Sequence, residues 1–186
     1  MGISLPKFPK GKQFEEYISA FFQSAGYFIE RNIIQREVEE ILELDIITTD
    51  YSKSPPQIKL LEVKSGDWGF PDLFKVRGWM DYLNILKGLF IVAVERHNSE
   101  FIKQKAKILS IDLAVVSDLS KTGEILKEFT NNTEIGKIDI ATWRYSYWVE
   151  RNLLKLLNQK KKLNRGQKRY PALSKYFLYS LCISWA

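Results

Sequence analysis

Apolar and polar positions alternate in ways that change character along the chain. In residues 12–25 (KQFEEYISAFFQSA), Phe14, Tyr17, Ile18, Phe21 and Phe22 recur at helical spacing, and Gly26 follows as a stop. Three β-branched, apolar stretches then predict strands: 27–34 (YFIERNII), 41–48 (ILELDIIT) and 58–64 (IKLLEVK). The turn-rich DYSKSPPQ between the last two predicts an antiparallel hairpin. Helical spacing returns over 72–86 and 99–110, separated by the apolar strand 89–94 (LFIVAV) and followed by a short strand at 112–116. This order predicts an α/β fold, a central mixed β-sheet flanked by helices.

The pattern shifts near 130–138, where TNNTEIGKI is polar. Residues 140–158 (IATWRYSYWVERNLLKLLN) are apolar nearly all round, as expected of a buried or partner-facing helix. The basic QKKKLNRGQKRYP and the aromatic LSKYFLYSLCISWA close the chain. The expected organisation is a core over 1–130 and a basic, aromatic helical extension over 131–186.

Charge sharpens that division. The net charge is +6, yet residues 151–186 hold nine Lys/Arg and no Asp or Glu, leaving 19 basic against 22 acidic residues in 1–150. The basicity belongs to the extension alone. Such a block suits a polyanion, nucleic acid before lipid, although a solvated tail would carry the same charge. The single cysteine, Cys182, excludes an internal disulfide and any multi-cysteine metal site. The start MGISLPKFPKGK lacks an apolar signal region, and no apolar run approaches about 20 residues. A cytoplasmic protein with no membrane span is the expectation.

Candidate chemistry lies on two of the strands. Residues two apart share a face, so Glu62 and Lys64 point together while Leu61 and Val63 point oppositely. Glu43 and Asp45 are likewise expected on one face, with Leu42, Leu44 and Ile46 on the other. Hairpin pairing would set Asp45 beside Glu62 and Lys64. Glu-x-Lys is also a common surface pair, but these charges stand in apolar strands and need partners or a metal. Phosphodiester hydrolysis explains the combination. Asp45, Glu62 and the Val63 carbonyl suit Mg2+, with Mn2+ as a substitute, and Glu15 can reach the metal through water. Lys64 would orient the attacking water or stabilise charge on phosphorus.

Phe14-Glu15 in a helix ending Ala25-Gly26-Tyr27, then Glu43-Leu44-Asp45-Ile46-Ile47, then Leu61-Glu62-Val63-Lys64-Ser65 resembles the core of the PD-(D/E)XK nuclease superfamily. The resemblance is greatest to Mrr-like restriction endonucleases and archaeal Holliday junction resolvases, and covers roughly residues 11–117. It implies a restriction-endonuclease-like core with Glu15, Asp45, Glu62 and Lys64 forming the metal site. Leu44 stands where the family often has proline. The Q-x-x-x-Y element of the iron–sulfur branch is missing, its nearest string being Lys75-Val76-Arg77-Gly78-Trp79.

Further candidates are nucleic-acid contacts. Lys75 and Arg77 stand among Trp68, Phe70, Trp79 and Tyr82, a mixture that holds phosphates and stacks on bases, though most of these rings are expected in the core. Lys160, Lys161, Lys162, Arg165, Lys168 and Arg169 form a candidate DNA arm, and 140–158 a candidate homodimer element. His97 and Cys182 receive no role. The expected function is a Mg2+-dependent DNA endonuclease. Alternatives are a Holliday junction resolvase-like nuclease, a non-catalytic nucleic-acid binder of the same fold, and a membrane-surface protein attaching through Tyr176–Trp185.

Overall fold

The computed structural model describes residues 10–36, 38–130 and 134–158. Among the described residues, those up to Ile140 belong to one compact unit and those from Ala141 to Asn158 to a second. The first contains α1 (Gly11–Ser24), β1 (Phe28–Arg36), β2 (Glu40–Asp50), β3 (Gln57–Lys64), α2 (Phe70–Leu83), β4 (Lys87–Val92), α3 (Ser99–Ile108), β5 (Ile111–Val115) and the short α4 (Thr122–Leu126). A further helix, α5 (Lys137–Asn158), begins in the first unit and runs into the second.

The sheet is mixed, in the order β1-β2-β3-β4-β5. β1 and β3 each pair antiparallel with β2, as tight connections permit. β3, β4 and β5 are mutually parallel, and α2 and α3 supply the crossovers that parallel neighbours need. Helices therefore cover both faces, and the parallel strands are apolar on both sides.

Alternation along β3 and β4 sorts the core into two clusters. Leu61, Val63, Leu89 and Ile91 pack with Phe14, Ile18, Phe21 and Phe22 of α1. Leu60, Phe90 and Val92 pack with Leu73, Val76 and Met80 of α2 and with Ile102 and Ala106 of α3. Glu62 and Lys64 share parity with Leu60, so they rise from the sheet on the α2 side. α2 itself lies close to the sheet at Gly88, where a Cβ would come within 2.7 Å of Met80 Sδ and 3.2 Å of Ile111 Cγ1. A side chain there would have to displace Met80 and shift Ile111.

The expected α/β architecture is thus present, each core element within a few residues of its predicted place. The helix expected at 140–158 is present as α5, on which the Tyr145 and Trp148 rings lie 6.0 Å apart. Pattern reading missed α4 and the 3-10 turns on either side of it, whose Leu119 and Leu126 join the α1 cluster. Among the described residues, no helix is long and apolar enough to cross a membrane.

Candidate active site

The site forms where two strands stop pairing. β2 and β3 are in register from Asp50↔Gln57 to Ile46↔Leu61, and the ladder ends there. On the other side of β2, pairing passes from Arg31↔Ile46 to Ile33↔Leu44 in unchanged register, leaving out the opposed Asn32 and Asp45, and the φ of Asn32 is +50°. Leu42 and Leu44 pack in the α2-side cluster, whereas Ile46 packs in the α1-side cluster. The strand changes face at Asp45. Uniform alternation of Leu42, Leu44 and Ile46, as the sequence suggested, does not survive this turn of the backbone.

That irregularity brings Asp45 to the end of β3. Its Oδ2 accepts the Val63 amide at 2.9 Å, satisfying a donor that β2 no longer pairs. Glu62 is 2% exposed, and its Oε1 lies 3.3 Å from Lys64 Nζ and 3.7 Å from Lys75 Nζ. Its other oxygen, Oε2, is buried without a hydrogen-bond partner. A buried carboxylate oxygen left unpaired is costly unless a cation or water completes it.

Electrostatics bear out the crowding. Burial, and then the neighbouring Asp45 charge, push the Glu62 carboxyl up to about 7, against the pull of Lys75 and Lys64. Asp45 is raised chiefly by burial, opposed by the Val63 amide and by both lysines. Glu15, half-buried on α1, is raised by burial and then by the charge of Asp45. Burial disfavours the Lys64 ammonium, yet Glu62, Asp72 and Asp45 together hold its pKa above the ordinary value.

Three further residues complete the picture. Asp72 Oδ2 accepts the Gly69 amide at 2.8 Å, closing the first turn of α2, while its Oδ1 lies 3.8 Å from Lys64 Nζ. Lys75 Nζ sits 4.1 Å from the centroid of the Trp79 ring, one helical turn along. Asp72, Lys75 and Trp79 thus belong to the site, although the sequence pattern pointed to Lys75 only as a DNA contact. The acid in the first helical turn after Pro71, and the i,i+4 spacing of Lys75 and Trp79, were the available signals.

Arg77 is placed differently. Its Nε donates to Asp81 Oδ2 at 3.1 Å and its Nη1 to the Leu109 carbonyl at 3.2 Å, tying α2 to the end of α3. Trp68 is buried, donating its indole N–H to the Val94 carbonyl at 2.7 Å, whereas Tyr82 is exposed. His97 is exposed at the surface. Lys160, Lys161, Lys162, Arg165, Lys168, Arg169 and Cys182 lie outside the described residues.

Among the described residues, no three His, Cys, Asp or Glu side chains converge as a ready metal cage. The donors at hand are two carboxylates, Asp45 and Glu62, and the backbone at Val63. That set fits a hard cation such as Mg2+, which keeps several waters and takes few protein ligands. The partnerless Glu62 Oε2 is the atom that such an ion would satisfy.

No protein-family model matches the chain, and no curated protein matches it. Among solved structures it is similar to the crystal structure of a protein of unknown function, AF1548, at 12% identity and a TM-score of 0.44. The match covers 55% of this chain and 56% of that one, so the chain spans about half of that protein's length.

Proposed function

We propose that this protein is a metal-dependent nuclease of the PD-(D/E)XK type that hydrolyses phosphodiester bonds in DNA. The observation that supports it most is the buried, partnerless Glu62 Oε2 beside Asp45, with two ammonium groups gathered at the other oxygen. Two buried or partly buried carboxylates faced by Lys64 at the end of β3 and by Lys75 from α2 form the kind of charge cluster that favours a functional site.

Asp45, Glu62 and the Val63 carbonyl would hold the ion, with Glu15 acting through water. When bound, Mg2+ lowers the pKa of a coordinated water and offsets charge on the phosphate. Hydrolysis then forms one P–O bond to the water oxygen and breaks the P–O bond to the sugar. The water gives up a proton and the leaving oxygen gains one, so no other reactant is needed. Lys64, steadied by Asp72, orients the water.

DNA as duplex or branched substrate, a homodimer supplying one active site per strand, and action inside the cell belong to the same reading. The basic segment from Lys160 to Arg169 suits the phosphate backbone. The test is incubation with supercoiled plasmid, linear duplex and a four-way junction, in Mg2+, Mn2+ or EDTA, beside Lys64→Ala. Cutting that needs the metal and Lys64 supports the reading; binding without cutting in every condition contradicts it and favours a non-catalytic binder.

A further inference from the structure

Two lysines face Glu62, and their surroundings differ. Lys64 Nζ stands between two carboxylates, Glu62 at 3.3 Å and Asp72 at 3.8 Å, with its side chain 32% exposed. Its charge is offset by both carboxylates, of which Glu62 alone is within hydrogen-bonding distance. Lys75 Nζ has one carboxylate, Glu62 at 3.7 Å, and the face of Trp79 at 4.1 Å, and its side chain is 46% exposed. An aromatic face attracts an ammonium without taking its N–H donors in conventional hydrogen bonds. Lys75 is thus fixed in position by the ring while keeping donors open at the mouth of the site.

A solvated helix lysine would extend into water to keep its hydration and its rotamer freedom. Lys75 instead folds back across Trp79 toward a buried carboxylate. Trp79 is itself partly buried against the α2-side core, so the ring is a firm support.

From this geometry we infer that Lys75 is a second catalytic cation. It contacts a non-bridging oxygen of the scissile phosphate, while Lys64 remains with Asp72 and the attacking water. Trp79 is the positioning residue that holds the Lys75 ammonium at the entrance. The inference rests on the nuclease reading and divides between two lysines the work that the E-x-K pattern gives to one. Lys75 binds the phosphate through charge and hydrogen bonds; no covalent bond to it is made or broken.

The test compares Lys75→Met, which keeps the stem over the ring and removes the charge, with Lys75→Arg and Trp79→Leu. Single-turnover cleavage in Mg2+ is read together with DNA affinity at several salt concentrations. Affinity is measured in an Asp45→Asn background, which this reading makes unable to cut. Lys75→Met is expected to slow cleavage about 10²-fold, the scale for losing one preorganised donor. It should also reduce the slope of log affinity against log salt by roughly 0.9 on duplex DNA, one phosphate contact. Lys75→Arg retains most of the rate, and Trp79→Leu loses part of it with the salt slope unchanged. Lys75→Gln replaces the Met variant if that protein does not fold.

Wild-type cutting that Lys75→Met matches, with an unaltered salt slope, overturns the inference alone. Wild-type protein that cuts no DNA overturns the nuclease reading and this inference with it.

Discussion

Asp72 links the fold to the chemistry of Lys64: one of its oxygens closes the first turn of α2 on the Gly69 amide, and the other faces the Lys64 ammonium at 3.8 Å. The two duties are separable by substitution. Asp72→Asn keeps an acceptor for Gly69 and loses the charge opposite Lys64. Cleavage should fall about 10-fold, within the range for residues supporting a metal site, with little change in melting temperature. Asp72→Ala loses the cap as well, and urea unfolding should show a further cost of about 1 kcal/mol.

Arg77 and Lys75 lie on one helix with opposite expected outcomes. Arg77 is bound to Asp81 and to the Leu109 carbonyl, so its guanidinium is engaged in joining α2 to α3. Arg77→Ala should leave DNA affinity within about 2-fold and cost roughly 1 kcal/mol of stability through the lost hydrogen bonds. A filter-binding titration and a melting curve check both.

Glu62 should make the metal-free protein less stable as pH rises. Its carboxyl sits at about 7 in the folded chain against an ordinary value of 4.5, so between those values the folded state binds more protons than the unfolded. The stability it confers is complete below about 4.5 and is lost as pH climbs through about 7. The loss is on the order of 3 kcal/mol at most. Melting in EDTA at pH 5 and pH 8 should show it against Glu62→Gln, which removes this titration and should gain relative stability at the higher pH. An equal pH response in both proteins would count against the burial of an unpaired carboxylate.

Gly88→Ala tests how closely α2 must approach the sheet. The new Cβ meets Met80 Sδ at 2.7 Å and Ile111 Cγ1 at 3.2 Å. The methionine can give way but the isoleucine lies on the neighbouring strand, so a cost of about 1–3 kcal/mol is expected in urea unfolding. Because Asp72, Lys75 and Trp79 ride on α2, cleavage should fall too.

Much of the fold was legible because each core element carries its own period. Phe14 to Phe22 declares a helix, and Leu60 to Val63 a strand buried on both faces. Glu62 and Lys64 were legible together, since strand parity needs no tertiary information. The change of face at Asp45 was not, because it occurs where pairing with β3 ends and opposite the left-handed Asn32 of the neighbouring strand, neither of which the local period of β2 shows. Lys75 and Asp72 were hidden for a related reason. Helical spacing shows which α2 residues share a side, but only packing of Leu73, Val76 and Met80 on the sheet decides which of the others meet Glu62.

The central claim is that Asp45 and Glu62 together hold a metal that cuts DNA. Its most direct test is supercoiled plasmid cleavage by wild-type, Asp45→Asn and Glu62→Gln proteins, each with Mg2+ and with excess EDTA. The wild-type protein should cut in Mg2+ alone, with either substitution lowering the rate at least about 10²-fold. Cleavage that persists in EDTA, or in both variants at the wild-type rate, would contradict it.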